Sequence, residues 1–116
     1  MDDTLLYHNP RCSKSRNALQ LLAERGIGPT VVPYLEQPLG TGQLRGLLRQ
    51  LGLSTRDLLR TSEAEYAELG LADPALSEEQ LIAALAAHPR LMERPIFVHG
   101  GRAVIGRPPE RVLELL

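Results

Sequence analysis

The stretch that most limits the fold runs from Thr4 to Leu35. Thr4-Leu5-Leu6-Tyr7 is a short apolar run of the kind that forms a buried strand. His8-Asn9-Pro10 then turns the chain into a segment with Ser15, Leu19 and Leu22 on one helical face, which runs to Arg25. Gly26 suits the left-handed position that ends a helix, Ile27 can pack back as its apolar partner, and Pro29 prevents continuation. Thr30-Val31-Val32-Pro33-Tyr34-Leu35 is β-rich, but Pro33 has no backbone donor and confines the segment to a sheet edge or a strand end. A helix joining two strands of one sheet makes them parallel, with a right-handed crossover.

Cys12, the only cysteine, falls at the turn from the first strand into the helix. Its sulfur there meets N–H groups without intrahelical acceptors and the positive end of a helix dipole, which favour thiolate over thiol. Arg11, Lys14 and Arg16 add positive charge. A free cysteine most often fills a gap in an apolar core. The polar, cationic and turn-forming neighbours of Cys12 make a poor wall for such a pocket. His8 stands four residues before the thiol, whereas His88 and His99 read as ordinary loop or surface residues. One cysteine can form neither an internal disulfide nor, alone, a thiolate zinc site, and no histidine stands at ligand spacing from it, so no metal is expected.

At 116 residues the chain is expected to form one domain, large enough to bury a core without disulfides or a structural metal. Met1-Asp2-Asp3-Thr4 lacks the basic start and apolar stretch of a signal peptide, and no run is long and apolar enough to span a membrane. The expectation is a cytoplasmic protein with no membrane partner, in a reducing compartment where a lone thiol can act as a nucleophile. A net charge of −1, no Trp and one Phe argue against a nucleic-acid partner, which requires a basic face and stacking platforms. Lys14 is the sole lysine. The remaining cations are arginines, whose planar forks suit bidentate oxyanion binding.

Residues 36 to 92 change character and read as a helical insertion packed on the same core. Thr41 can cap a helix with Leu44, Leu47, Leu48 and Leu51 on one face, stopped by Gly52. Short helices should follow from Ser54 through Leu59, closed by Arg60, and from Glu63 to Leu69 before Gly70. A fourth begins with the capping box Ser77-x-x-Gln80 and carries Leu81, Ile82 and Leu85 to His88-Pro89. Pro95-Ile96-Phe97-Val98 and Ala103-Val104-Ile105 then flank the hairpin turn His99-Gly100-Gly101-Arg102. Gly106-Arg107-Pro108-Pro109 leads into a closing helix expected to turn Val112, Leu113 and Leu116 to the core. The order βαβ, helices, ββα predicts a two-layer α/β domain with a mixed four-stranded sheet.

These residues resemble a known family. His8-Asn9-Pro10-x-Cys12-x-x-Ser15-Arg16, then Leu58-Leu59-Arg60, Tyr66-x-x-Leu69-Gly70-Leu71, Arg94-Pro95 before a strand, and Gly106-Arg107-Pro108 are similar to the motifs of the glutaredoxin-linked arsenate reductase (ArsC) family, over nearly the whole chain. The resemblance is strongest to its small housekeeping relatives. It implies a thioredoxin-like, glutaredoxin-like fold with a helical insertion, a cis Arg94-Pro95 bond, a monomer, and no bound metal or nucleotide cofactor. It further implies that Cys12 is the nucleophile that attacks arsenate and forms a sulfur–arsenic bond. Arg60, Arg94 and Arg107 would bind the oxyanion, and His8 and Ser15 would support the thiolate. With no second thiol in the chain, the resemblance points to glutathione as co-substrate and to a glutaredoxin that regenerates Cys12.

Two other readings stay open. The chain is also compatible with an ArsC-like thiol oxidoreductase acting on an unassigned substrate. A further resemblance is to Spx-type regulatory modules that bind RNA polymerase; these commonly switch through a Cys-x-x-Cys pair, and Ser15 occupies the fourth position here.

Overall fold

A computed structural model of the chain describes residues 4–116, so the acidic start Met1-Asp2-Asp3 lies outside the described residues. The described residues divide into two compact units, one formed by residues 4–37 and 94–116, the other by residues 38–93.

The first unit is built on the expected sheet. Strands β1 (Thr4–Tyr7) and β2 (Thr30–Val32) are joined by helix α1 (Ser13–Glu24), and the sheet is completed by β3 (Ile96–His99) and β4 (Arg102–Ile105) in the order β2-β1-β3-β4. β1 and β2 are parallel, with Leu6 opposite Val31, while β1 and β3 and then β3 and β4 are antiparallel, with Leu6 opposite Phe97. This is the mixed α/β arrangement of a thioredoxin-like fold. Pro33 ends β2 after three residues, and β2 is an edge strand, as the missing donor requires.

The close of α1 follows its sequence. Gly26 takes φ +73°, its N–H donates to Ala23 O, and the Ile27 N–H reaches back to Leu22 O at 2.9 Å, a Schellman closure. Leu6, Ala18, Leu22, Phe97, Val104 and Val112 form the buried core of this unit, with Ile27 packed against it. Gly100 and Gly101 both have positive φ and turn β3 tightly into β4.

One expectation about this unit is corrected. The closing segment Pro109–Leu115 is a 3-10 helix, not an α-helix, and Leu116 is 47% exposed. With three residues per turn, Val112 and Leu115 share the inner side with Leu113 beside them, and the added residue of an α-helical repeat no longer brings Leu116 inward.

The second unit contains α2 (Thr41–Leu51), α3 (Thr55–Leu58), α4 (Ala64–Glu68), α5 (Glu78–Ala87) and a 3-10 turn, Pro89–Leu91. Leu44, Leu47 and Leu48 are buried on α2, and Leu81, Ile82 and Leu85 on α5. The cap of α2 is Gly40 rather than Thr41; its N–H donates to Gln43 Oε1 at 2.8 Å, a reach that moves the helix start back by one residue. Ser77 and Gln80 form the expected reciprocal cap of α5, at 2.8 and 3.1 Å. Among the described residues, no helix is long and apolar enough to cross a membrane.

Candidate active site

The turn between β1 and α1 is held by its own side chains. The Cys12 N–H donates to Asn9 O at 3.0 Å, the Arg11 N–H donates to Asn9 Oδ1 at 3.0 Å, and Arg16 Nη1 donates to Pro10 O at 2.9 Å. Cys12 is the N-cap of α1, in extended backbone conformation, and its carbonyl accepts the first helical bond from Arg16 N–H. Its side chain makes no capping hydrogen bond, and the first turn of α1 has no acidic residue. The half-buried sulfur therefore sits at the positive end of a helix with no neighbouring carboxylate in that turn.

Ser15 and His8 meet below this turn. Both are buried, and His8 Nδ1 lies 2.6 Å from Ser15 Oγ, which also accepts the Asn9 N–H at 3.0 Å. Burial, and secondarily the positive charge of Arg16, pushes the His8 pKa below its ordinary 6.5, so the imidazole is held neutral. A hydroxyl has one donor and two acceptor positions, so Ser15 Oγ holds the Asn9 N–H and still bonds a neutral His8 at Nδ1. A cleft of about 370 Å³ opens beside the turn, lined by His8, Asn9, Pro10, Arg11, Pro33, Leu35 and Glu36. It lies at the carboxyl ends of the parallel strands β1 and β2, the usual position of ligand crevices in open α/β sheets.

Arg94 and Arg107 are brought together in the same unit. Arg94-Pro95 is cis, as the family resemblance implies, and so is Arg107-Pro108, which the sequence reading did not include. The Gly106 N–H donates to Pro95 O at 2.8 Å, and Arg107 Nη1 donates to Arg94 O at 3.1 Å, so the two segments are tied to each other. A Cβ on Gly106 would stand 2.9 Å from Pro95 Cγ and 3.1 Å from Val112 Cγ1, which explains why a glycine precedes Arg107. Arg94 Nε and Nη1 are buried and have no hydrogen-bond partner among the described residues. Two donors of a permanent cation, taken out of water and left without an acceptor, are costly unless an anion meets them.

Arg60 belongs to the other unit. Its N–H donates to Leu91 O at 2.7 Å beside an antiparallel bridge between Leu59 and Met92. Its guanidinium pairs with Glu63 at 2.5 Å and with Glu93 at 3.4 Å. Sequence reasoning missed both carboxylates. Glu63 could have been suspected from its i,i+3 spacing to Arg60, whereas Glu93 reaches Arg60 only through the long-range bridge. Asn9 was missed as well, though Asn before Pro is a recognisable turn former whose side chain mimics a backbone acceptor.

Comparison with known proteins agrees with this frame. The ArsC family profile matches residues 7–115. An uncharacterised Escherichia coli K12 protein, YfgD, is 58% identical over 112 residues, covering 96% of this chain and 94% of its own. An arsenate reductase of Neisseria meningitidis is 46% identical over 117 residues, all of both chains. Among solved structures, an arsenate reductase from Vibrio cholerae superposes with a TM-score of 0.96 at 51% identity, covering 97% of each chain. A profile match over residues 7–115, with relatives at 46 to 58% identity along almost the entire length, has one reading: the chain belongs to the ArsC family.

Proposed function

We propose that the protein is an arsenate reductase in which Cys12 is the nucleophile and glutathione, with a glutaredoxin, is the reductant. The observation that carries the reading is the pair of buried, unpartnered donors Nε and Nη1 of Arg94, in a segment tied to Arg107, within the unit that also holds Cys12 at a helix N-terminus. A tetrahedral oxyanion supplies the acceptors that the Arg94 donors lack, and the guanidinium charge favours the anion. Arg60 is a further oxyanion-binding arginine in this reading. The arsenate reductases among its relatives support the choice of arsenic.

The reaction balances with thiols alone. The Cys12 thiolate attacks arsenic, an arsenic–oxygen bond breaks, and the oxygen leaves as water after taking up protons, giving a sulfur–arsenic(V) bond. A glutathione thiolate attacks the Cys12 sulfur, the electron pair of the sulfur–arsenic bond passes to arsenic, and arsenite leaves as arsenic(III). Cys12 is then a mixed disulfide with glutathione. A glutaredoxin thiolate attacks the glutathionyl sulfur and releases Cys12, at a rate set by thiolate fraction and leaving group. His8 and Ser15 keep the turn that carries Cys12 in place. Because the chain has one cysteine, the second thiol of each cycle comes from outside. We place the reaction in the cytoplasm, with the protein acting as a monomer and binding no cofactor.

The test is turnover of purified protein with arsenate, glutathione, a glutaredoxin and an NADPH-linked recycling system. Arsenate-dependent NADPH loss above a Cys12→Ser control is expected. Its absence would leave an ArsC-family thiol protein acting on some other substrate.

A further inference from the structure

The cleft beside the cysteine turn is built entirely within one unit. One wall is the β1–α1 turn, His8 to Arg11, and the other is the segment after β2, with Pro33, Leu35 and Glu36. The His8 N–H donates to Val32 O at 3.0 Å and ties the walls to each other. Each wall is also fixed by its own turn: the N–H groups of Cys12 and Arg11 donate to Asn9, and those of Glu36 and Gln37 both donate to Pro33 O at 2.9 Å. Pro10, Pro33 and Leu35 give the cleft an apolar lining, and its volume of about 370 Å³ is of the size that takes small ligands. Its charges are Arg11 and Glu36, one on each wall, since His8 is neutral. Among the described residues, neither the Arg11 guanidinium nor the Glu36 carboxylate has an ion-pair or hydrogen-bond partner. Two opposite charges thus share a cleft without pairing with each other.

We propose that this cleft binds glutathione, with Arg11 on its glycine carboxylate and Glu36 on its ammonium group. The inference rests on the choice of glutathione as reductant made above and gives that reductant a site. Glutathione is a γ-linked tripeptide with an ammonium and a carboxylate at one end, a second carboxylate at the other, and the thiol on its central residue. An apolar cleft with a cation on one wall and an unpaired anion on the other complements that pattern. Arg11 directly precedes Cys12, so a peptide held at both ends presents its central thiol beside the reacting sulfur. There the glutathione thiolate bonds to Cys12 Sγ, the sulfur–arsenic bond breaks, and its electron pair reduces arsenic(V) to arsenic(III). A thiol without the two charges has no such hold. Arg11 and Glu36 therefore select the reductant and leave the oxyanion to other residues.

The main test needs no arsenate. Full-length protein with Cys12 reduced is mixed either with glutathione disulfide or with hydroxyethyl disulfide, which is uncharged. Attack of the Cys12 thiolate on glutathione disulfide releases one glutathione and leaves the same mixed disulfide that the cycle passes through. Rates are read by intact-mass spectrometry in wild type, Arg11→Ala and Glu36→Gln, and the uncharged disulfide corrects for any change in thiolate reactivity. The ratio of the glutathione rate to the hydroxyethyl rate should fall about twofold to fivefold in each variant. The sign for Glu36→Gln is decisive, because glutathione disulfide is an anion and loss of a carboxylate would speed its capture by charge alone. An unchanged or raised ratio in Glu36→Gln, or an unchanged ratio in Arg11→Ala, would overturn the site. The KM for glutathione in arsenate turnover should rise in both variants, and an unchanged value would likewise overturn it. Wild-type turnover of arsenate with unchanged ratios sinks the cleft and leaves the arsenate reading intact. Lowered ratios without arsenate turnover sink that reading and leave the cleft.

Discussion

His8 Nδ1 and Ser15 Oγ lie 2.6 Å apart beneath the turn that carries Cys12. The contact joins the end of β1 to the first turn of α1, and through the Asn9 N–H it includes the loop between them. It works with a neutral imidazole, which burial and then Arg16 favour.

The pH dependence follows from that neutrality. A histidine whose folded-state pKa lies below its ordinary 6.5 binds its proton more readily in the unfolded chain. Its contribution to stability is therefore complete above 6.5 and is lost as pH falls below that value and through the folded pKa. Urea unfolding followed from about pH 8 to about pH 5 should show stability declining on the acid side, with a smaller decline in His8→Asn. An identical slope in the variant would show that His8 titrates alike in both states.

Ser15→Ala removes the hydroxyl that both His8 and Asn9 use. The Asn9 N–H and His8 Nδ1 would lose that partner in a buried place, at about 1 to 3 kcal/mol. Chemical denaturation should report that loss. A change within a few tenths of a kcal/mol would mean that water replaces the hydroxyl, and that the turn does not depend on it.

The arginines divide into two classes. Arg94→Ala and Arg107→Ala should each weaken oxyanion binding by about tenfold to a hundredfold, the value of a charge-assisted hydrogen bond, with the fold retained by circular dichroism. Arg45, which pairs with Glu79 on the surface, and the exposed Arg49 provide the comparison. Arg45→Ala and Arg49→Ala should leave binding unchanged. Equal effects from all four would reduce the site to general electrostatic attraction.

Gly106→Ala tests the packing beneath Arg107. The added methyl would enter at 2.9 Å from Pro95 Cγ, among ring and valine atoms that are not free to swing away. Overpacking of this kind destabilises by about 1 to 3 kcal/mol. A lowered Tm together with weaker oxyanion binding is expected, because Pro95 follows Arg94 directly. An unchanged Tm would show that the segment yields.

What could be read from the sequence was local. The Leu6 strand, the Gly26 close of α1 and the Ser77–Gln80 cap each depend on residues within a few positions of one another, and each forms as expected. Pro33 on an edge strand was readable because the missing donor has only one place in a sheet. The remainder depended on distance or on fine balance. The ion pairs of Arg60 exist because residues 58–60 meet residues 91–93, a pairing that no period announces. The closing segment has seven residues, Pro109 included, too few for helical periodicity to separate a 3-10 from an α repeat. Of the site, Cys12, His8 and Ser15 occupy one turn and could be read together, whereas the burial of Arg94 and the tie to Arg107 needed three dimensions.

The central claim is that Cys12 passes through an arsenic adduct and is then resolved by an external thiol. Intact-mass spectrometry of the protein incubated with glutathione, with and without arsenate and without a glutaredoxin, tests it most directly. The account predicts one glutathionyl group per chain, located on Cys12 and formed only when arsenate is present, with arsenite appearing in equal amount. A protein that stays unmodified with arsenate, or acquires the same adduct without it, would contradict the account.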